Sequence, residues 1–354
     1  MTTADALRSR LGLHWPLVQA PMAGVQDAAL AIAASRAGAL GSLPAAQFAL
    51  LALREQAGAL AAALRADGLP WALNFFAHRA PAPDAAREAR WRAALAPFYA
   101  EAGIDAAAVP AGAGRTPFDA AAAEVVEALR PPVVSFHFGL PEPALLGRVK
   151  ALGCVVMSSA TTVDEARWLA AQGGDVVIAQ GLEAGGHRGH FLDDDLTRQA
   201  GTFALLPQVV RAVALPVLAA GGIADAAGVR AAMALGAAGV QVGSAFLLCP
   251  QATTTELHRT ALRSPRAAHT ALTNLITGRP ARGIVNRLMR ELGPMSDAPP
   301  AFPLATAAIA PLRAWAEARG ADDFSPLWCG QHPPRFDGVP AGEVVQALAA
   351  GFDG

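Results

Sequence analysis

Eight short apolar runs, separated by Ala-rich stretches that carry charges at helical spacing, constrain this 354-residue chain more than any other feature. They fall at residues 16–21, 39–43, 72–76, 133–138, 155–158, 176–180, 217–220 and 240–243. A strand covered on both faces reads as a continuous apolar run, so these runs belong in a parallel sheet with helices on its outside. Eight such units predict an α/β fold, a (β/α)8 TIM barrel with a smaller helical lid or second domain. An open doubly wound sheet competes less well: the first turn reads QAPMAGVQD where a dinucleotide sheet carries G-x-G-x-x-G.

Two stretches interrupt the rhythm and are too long for simple connections. The expected organisation is a barrel core over 1–248 with a helical excursion at about 77–130, a helical lid or substrate-domain segment over 249–311, and a helical segment over 312–354 that packs back on the barrel. With 28 basic and 29 acidic side chains the net charge of −1 leaves no footprint for nucleic acid or an anionic membrane, which favours a small-molecule partner. Residues 231–255 carry no charge, but their glycines and Pro250 suit a helix end, a turn and a buried strand better than a bilayer span. Cys154, Cys249 and Cys329 are odd in number and far apart, and the N-terminus has no basic region leading into an apolar one; a cytoplasmic protein is expected.

In a barrel of this kind the strand C-termini converge on one site. The seventh run ends in AAGG at 219–222 and the eighth in QVGS at 241–244. Each glycine alone could simply make a tight turn, but the loops after strands seven and eight are where barrels hold phosphate on backbone N–H groups. The loop after strand six, Gln180-Gly-Leu-Glu-Ala-Gly-Gly-His187-Arg-Gly-His190, places His187 among glycines, where an imidazole can act as a base near neutral pH. His190 reads as structural. His137 closes strand four as a second catalytic candidate, although its flanking phenylalanines leave its facing open. Asn74 ends strand three with an amide that needs partners. The turn 277–283 carries two arginines that suit equally a solvated turn or an anionic substrate. Metal-ligand spacing and the G-x-S-x-G elbow are both missing from the sequence.

Taken together, QAPMAGV at 19–25, LNFF at 73–76, QGLEAGGHRG at 180–189, AAGGI at 219–223 and QVGSAF at 241–246 resemble the nitronate monooxygenase family. TGRPARGIVN at 277–286 and LWCGQ at 327–331 are similar to its class I branch. The resemblance implies a non-covalent FMN, with its phosphate on Gly222 and on Gln241, Val242, Gly243 and Ser244, and its ring near Met22, Asn74, Gln180 and Gly185. Ser244 stands where relatives often carry Thr, which retains a hydroxyl. His187 matches the family's catalytic histidine. The implied reaction oxidises an alkyl nitronate, propionate 3-nitronate being the one suggested, with dioxygen to a carbonyl compound and nitrite. The EAGGH stretch is also similar to FMN-dependent reductases that pass hydride from NAD(P)H to an enoyl thioester or a quinone, and a non-enzymatic FMN-binding barrel is a third reading. A homo-oligomer stays open.

Overall fold

In the computed structural model, which describes residues 3–109, 112 and 115–352, the eight apolar runs form one closed parallel barrel. Its strands are β1 (Leu17–Gln19), β2 (Leu40–Leu43), β3 (Trp71–Phe76), β4 (Val133–His137), β5 (Val155–Ala160) and β6 (Val176–Gln180). After a short outlying strand β7 (Gly186–His187) come β8 (Val217–Ala220) and β9 (Gly239–Val242), and β9 pairs with β1 to close the ring.

Successive strand residues point to opposite faces, and this parity sorts the whole barrel. Leu17, Leu43, Leu73, Phe75, Val134, Phe136, Val177, Val240 and Val242 point outward into the core shared with the helices. Val18, Leu40, Ala72, Val133, Val155, Met157, Val176, Ile178 and Leu218 point inward and pack with Leu7, Leu11 and Leu13. The helix Thr3–Leu11 thus plugs the end at which the strands begin. Carried two to four residues further, the inward parity delivers Asn74, Phe76, His137, Ser159, Gln180, Ala220 and Gln241 to the opposite mouth, where they share one cavity wall. The facing of His137 is thereby settled: it shares the face of Val133.

The excursions after β3 and after β9 share a second apolar core. Helix Ala85–Ala102 contributes Trp91, Leu95, Phe98 and Tyr99; helix Thr306–Glu317 contributes Ala308, Ile309, Leu312 and Ala316. Small alanines let the helices approach, and the Tyr99 hydroxyl donates to the Ala308 carbonyl at 2.6 Å. Helix Thr306–Glu317 runs through the expected boundary at 311/312 and sits in this second core. Beyond it, helix Ala341–Ala349 buries Val344, Val345 and Leu348 against the main core.

The sequence reading expects residues 249–311 to be helical, and the structure departs from that. β10 (Thr270–Thr273) and β11 (Ala281–Ile284) form an antiparallel hairpin, and β7 joins its edge to make a three-stranded sheet in the order β10-β11-β7. Threonines at both ends of β10 favour strand, and the long-range pairing of 281–282 with 186–187 fixes it. Trp328 bridges to Gly283, so LWCGQ lies along the same sheet. The uncharged stretch 231–255 is a helix end, β9 and a 3-10 turn, and among the described residues no helix is long and apolar enough to cross a membrane.

Candidate active site

The barrel mouth holds a cavity of about 300 Å³ between the strand ends and the second core. Of the sequence-singled residues, Met22, Asn74, His137, Gln180, Gly185, His187, Gly222, Gln241, Gly243 and Ser244 all line it. Val242 does not: parity turns its side chain into the outer core, and its carbonyl accepts the Ala20 N–H at 2.8 Å. Arg279 and Arg282 do not line it either. Arg279 stacks 4.4 Å over the Phe138 ring and donates to the His190 carbonyl, while Arg282 donates to the Leu182 carbonyl at 2.8 Å. Both guanidiniums thus brace the loop after β6.

Buried polar networks shape the rim. Gln26 donates to the Ser42 carbonyl at 2.8 Å and accepts the Met22 N–H at 2.9 Å, fixing the turn after β1. In the loop after β6, the fully buried Arg188 guanidinium donates to the carbonyls of Gly181 (2.6 Å) and Gln180 (2.7 Å) and to Gln199 (2.8 Å). Gln180 donates to the His187 carbonyl at 3.0 Å and accepts from Gly189 N–H at 2.7 Å, so both its polar atoms are engaged by the loop. A side chain at Gly185 would come within 2.6 Å of the backbone of Cys329 and Gly330, so only glycine lets the C-terminal segment close on this loop.

His187 is walled by the rings of Phe302, Trp328, Phe138 and Phe76, with centroids 5.2, 5.7, 5.9 and 6.3 Å away. Its Nε2 lies 2.9 Å from Thr277 Oγ1. Burial, followed by the charges of Arg115 and Arg279 and the neighbouring His137, holds its pKa well below the usual 6.5 and keeps it neutral. His137 has no nitrogen to spare: Nε2 donates to the His187 carbonyl at 3.1 Å and Nδ1 lies 3.0 Å from Ser159 Oγ. Burial lowers its pKa to about 4. It orients the loop that carries His187.

Opposite this end, the Gly222 and Ile223 N–H groups, together with that of Ser244, donate to no acceptor among the described residues. Gly222 has φ +73°, and a Cβ there would meet nothing closer than 3.5 Å, so the backbone lies open to a ligand. The Ser244 hydroxyl accepts the Gly330 N–H at 2.9 Å, with the Cys329 thiol also within its hydrogen-bonding reach. Asn74 Nδ2 donates to Ser135 Oγ at 2.9 Å, leaving its oxygen without a donor among the described residues. Free amides from two loops, with the open Asn74 oxygen as an acceptor, form a set that fits a phosphate and a polar ring edge, as FMN presents. The charged side chains of the lining are Arg115, Arg313, whose Nε donates to Glu317 at 2.7 Å, and one carboxylate, Glu183, which Thr202 already engages at 2.8 and 3.0 Å. That balance suits an anion.

Thr277, Phe302, Trp328, Ser159, Arg115 and Arg313 escape the sequence reading. None carries a signal by itself. Thr277 and Trp328 do lie in the two segments singled out as class I features, the one trace that could have found them.

Burial also holds the imidazoles of His78 and His258 near pKa 4 and that of His190 near 3. Between pH 6.5 and about 4 the unfolded chain therefore binds protons that the folded chain refuses, so stability is intact above 6.5 and falls as pH drops. Each such histidine contributes up to about 1.4 kcal/mol per pH unit in that window. The expected result is a urea midpoint that declines steeply from pH 6.5 to 5, and less steeply in His258→Gln, whose side chain lies outside the cavity lining. A flat profile would show that these rings take up protons in the folded protein.

A family model described as nitronate monooxygenase matches residues 5–351. A nitronate monooxygenase of Pseudomonas aeruginosa is 39% identical, over 97% of this chain and 98% of its own. One of Paraburkholderia phytofirmans is also 39% identical, over 98% and 94%. Among solved structures, a nitroalkane oxidase from Streptomyces ansochromogenes superposes with a TM-score of 0.87 at 37% identity, covering 98% of both chains. FabK from Thermotoga maritima, at 23% identity, TM-score 0.71 and coverage of 98% and 96%, shares the fold alone.

Proposed function

Because the chain belongs to the nitronate monooxygenase family, an oxidoreductase family, we propose that it holds FMN non-covalently across the barrel mouth and oxidises an alkyl nitronate with dioxygen to a carbonyl compound and nitrite. Propionate 3-nitronate, an anion of suitable size, is the substrate this reading favours. One observation carries it: a cradle of free amides and a neutral, cage-held imidazole share a cavity in which two arginines face one carboxylate that is already engaged.

Bound FMN would supply the electron-transfer chemistry that no side chain here offers. The backbone amides of Gly222, Ile223 and Ser244 would hold its phosphate, with Met22, Asn74, Gln180, Gly185 and Gln241 along its ring. Arg115 and Arg313 draw in the substrate anion. His187 places the reacting carbon, and with an anionic nitronate it has no proton to remove, so its contribution is positional and electrostatic. The rings of Phe76, Phe138, Phe302 and Trp328 exclude water, which strengthens each of these interactions. The second core acts as a lid. A reducing cytoplasm suits three free cysteines that are all buried.

The deciding experiment mixes the purified flavoprotein anaerobically with propionate 3-nitronate and, separately, with NADH. Bleaching by the nitronate, with nitrite released once air is admitted, is the expected result. Bleaching by NADH alone would move the chain to the reductases of enoyl thioesters or quinones.

A further inference from the structure

Thr277 sits in the turn between β10 and β11, outside the barrel, yet its hydroxyl is the only polar side-chain partner of the His187 ring among the described residues. We infer that Thr277 locks His187 in the Nε2–H tautomer, so that the ring presents a bare Nδ1, a proton acceptor, to the cavity. This rests on the reading of His187 as the residue that faces the substrate.

The assignment follows from counting protons. The Thr277 hydroxyl lies 3.3 Å from the Arg279 carbonyl, which can only accept, so the single hydroxyl proton points there. The oxygen's lone pairs then face His187 Nε2 at 2.9 Å, and that nitrogen must be the donor. A neutral imidazole carries one ring proton, which leaves Nδ1 bare. Nδ1 has no protein partner among the described residues, and it is not among the buried polar atoms left without one, which places it on the cavity. The opposite tautomer would need Thr277 to give its only proton to Nε2 and abandon Arg279.

Two further features keep the ring from turning over. The Phe302 and Trp328 rings pack against it at 5.2 and 5.7 Å. Its backbone carbonyl is held by both His137 and Gln180. The charged and titratable groups around it are Arg115, His137, Arg279 and His190, and all of them disfavour a second ring proton. A base in this orientation can act on a neutral nitroalkane: the α-C–H bond breaks, its proton bonds to Nδ1, and the electron pair delocalises into the nitro group, leaving a nitronate beside an imidazolium. Thr277 is then a positioning residue, acting through His187.

The test is 15N NMR of protein labelled at histidine, with the His187 signals identified by their loss in His187→Asn. The expected wild-type pattern is a pyrrole-type Nε2 and a pyridine-type Nδ1. Thr277→Ser should keep it, whereas Thr277→Val should move the two signals toward each other as the tautomers interchange. A pyrrole-type Nδ1 in the wild type, or an unchanged spectrum in Thr277→Val, would overturn the inference. Nitronate turnover on the same samples reports separately: a wild type with the inferred tautomer and no turnover would fault the proposed function and leave the lock standing.

Discussion

His187→Asn is expected to leave FMN bound and to lower turnover by about 10²–10⁴-fold, the range that a positioned acid–base group commands. Flavin retention follows because, among the described residues, the ring contacts only Thr277 through a hydrogen bond and the aromatic cage through packing, while the free amides lie on other loops. The main-chain carbonyl of residue 187, which His137 and Gln180 hold, survives the substitution. The loss should be larger with neutral nitroalkanes, where a proton must be taken, than with preformed nitronates. Steady-state rates measured on both substrate classes decide it, and rates within about twofold of wild type would remove His187 from the reaction.

Gly222→Asp is expected to abolish FMN binding while the apoprotein stays folded. Space is not the obstacle, since the nearest atom to a Cβ there is the Glu183 Cβ at 3.5 Å. Two other costs apply. A side chain at φ +73° costs about 1–2 kcal/mol, and a carboxylate beside the open amides repels a phosphate dianion and occupies its donors. Gly222→Ala carries only the first cost, which the apoprotein and the flavoprotein share, so it should lower stability by about 1–2 kcal/mol and leave FMN bound. Gel filtration with absorbance at the flavin band separates the outcomes. A Gly222→Asp variant that elutes with a full complement of flavin would place the phosphate on some other loop.

The barrel was legible because each strand is buried on both faces, which leaves continuous apolar runs that no other parallel arrangement of eight explains as well. Parity within those runs was harder to read. Gln241 and Val242 stand side by side in one short run, and only the inward placement of Val18 and Leu218 reveals that 241 faces the cavity and 242 the helices. The three-stranded sheet was hidden for a different reason: β7 has two residues and no periodicity, and its partner β11 lies far along the chain, at Ala281–Ile284. The same distance concealed Thr277 and Trp328. Arg279 and Arg282 misled because a Gly-rich turn with two cations looks solvated or ligand-facing, whereas here both guanidiniums cap loop carbonyls.

Because β7 is an edge strand of the sheet built on β10 and β11, the histidine loop is stitched to the segment that follows the barrel. Reactivity and enclosure are therefore inherited together. A chimera that grafts residues 249–311 from a relative would exchange the hydroxyl bonded to the His187 ring together with part of the cavity wall, Thr277 and Phe302 among it. On the roles proposed for Thr277 and His187, substrate range in such a chain does not diverge by exchange of the cover alone, because the hairpin that walls the cavity also carries the hydroxyl bonded to the histidine ring.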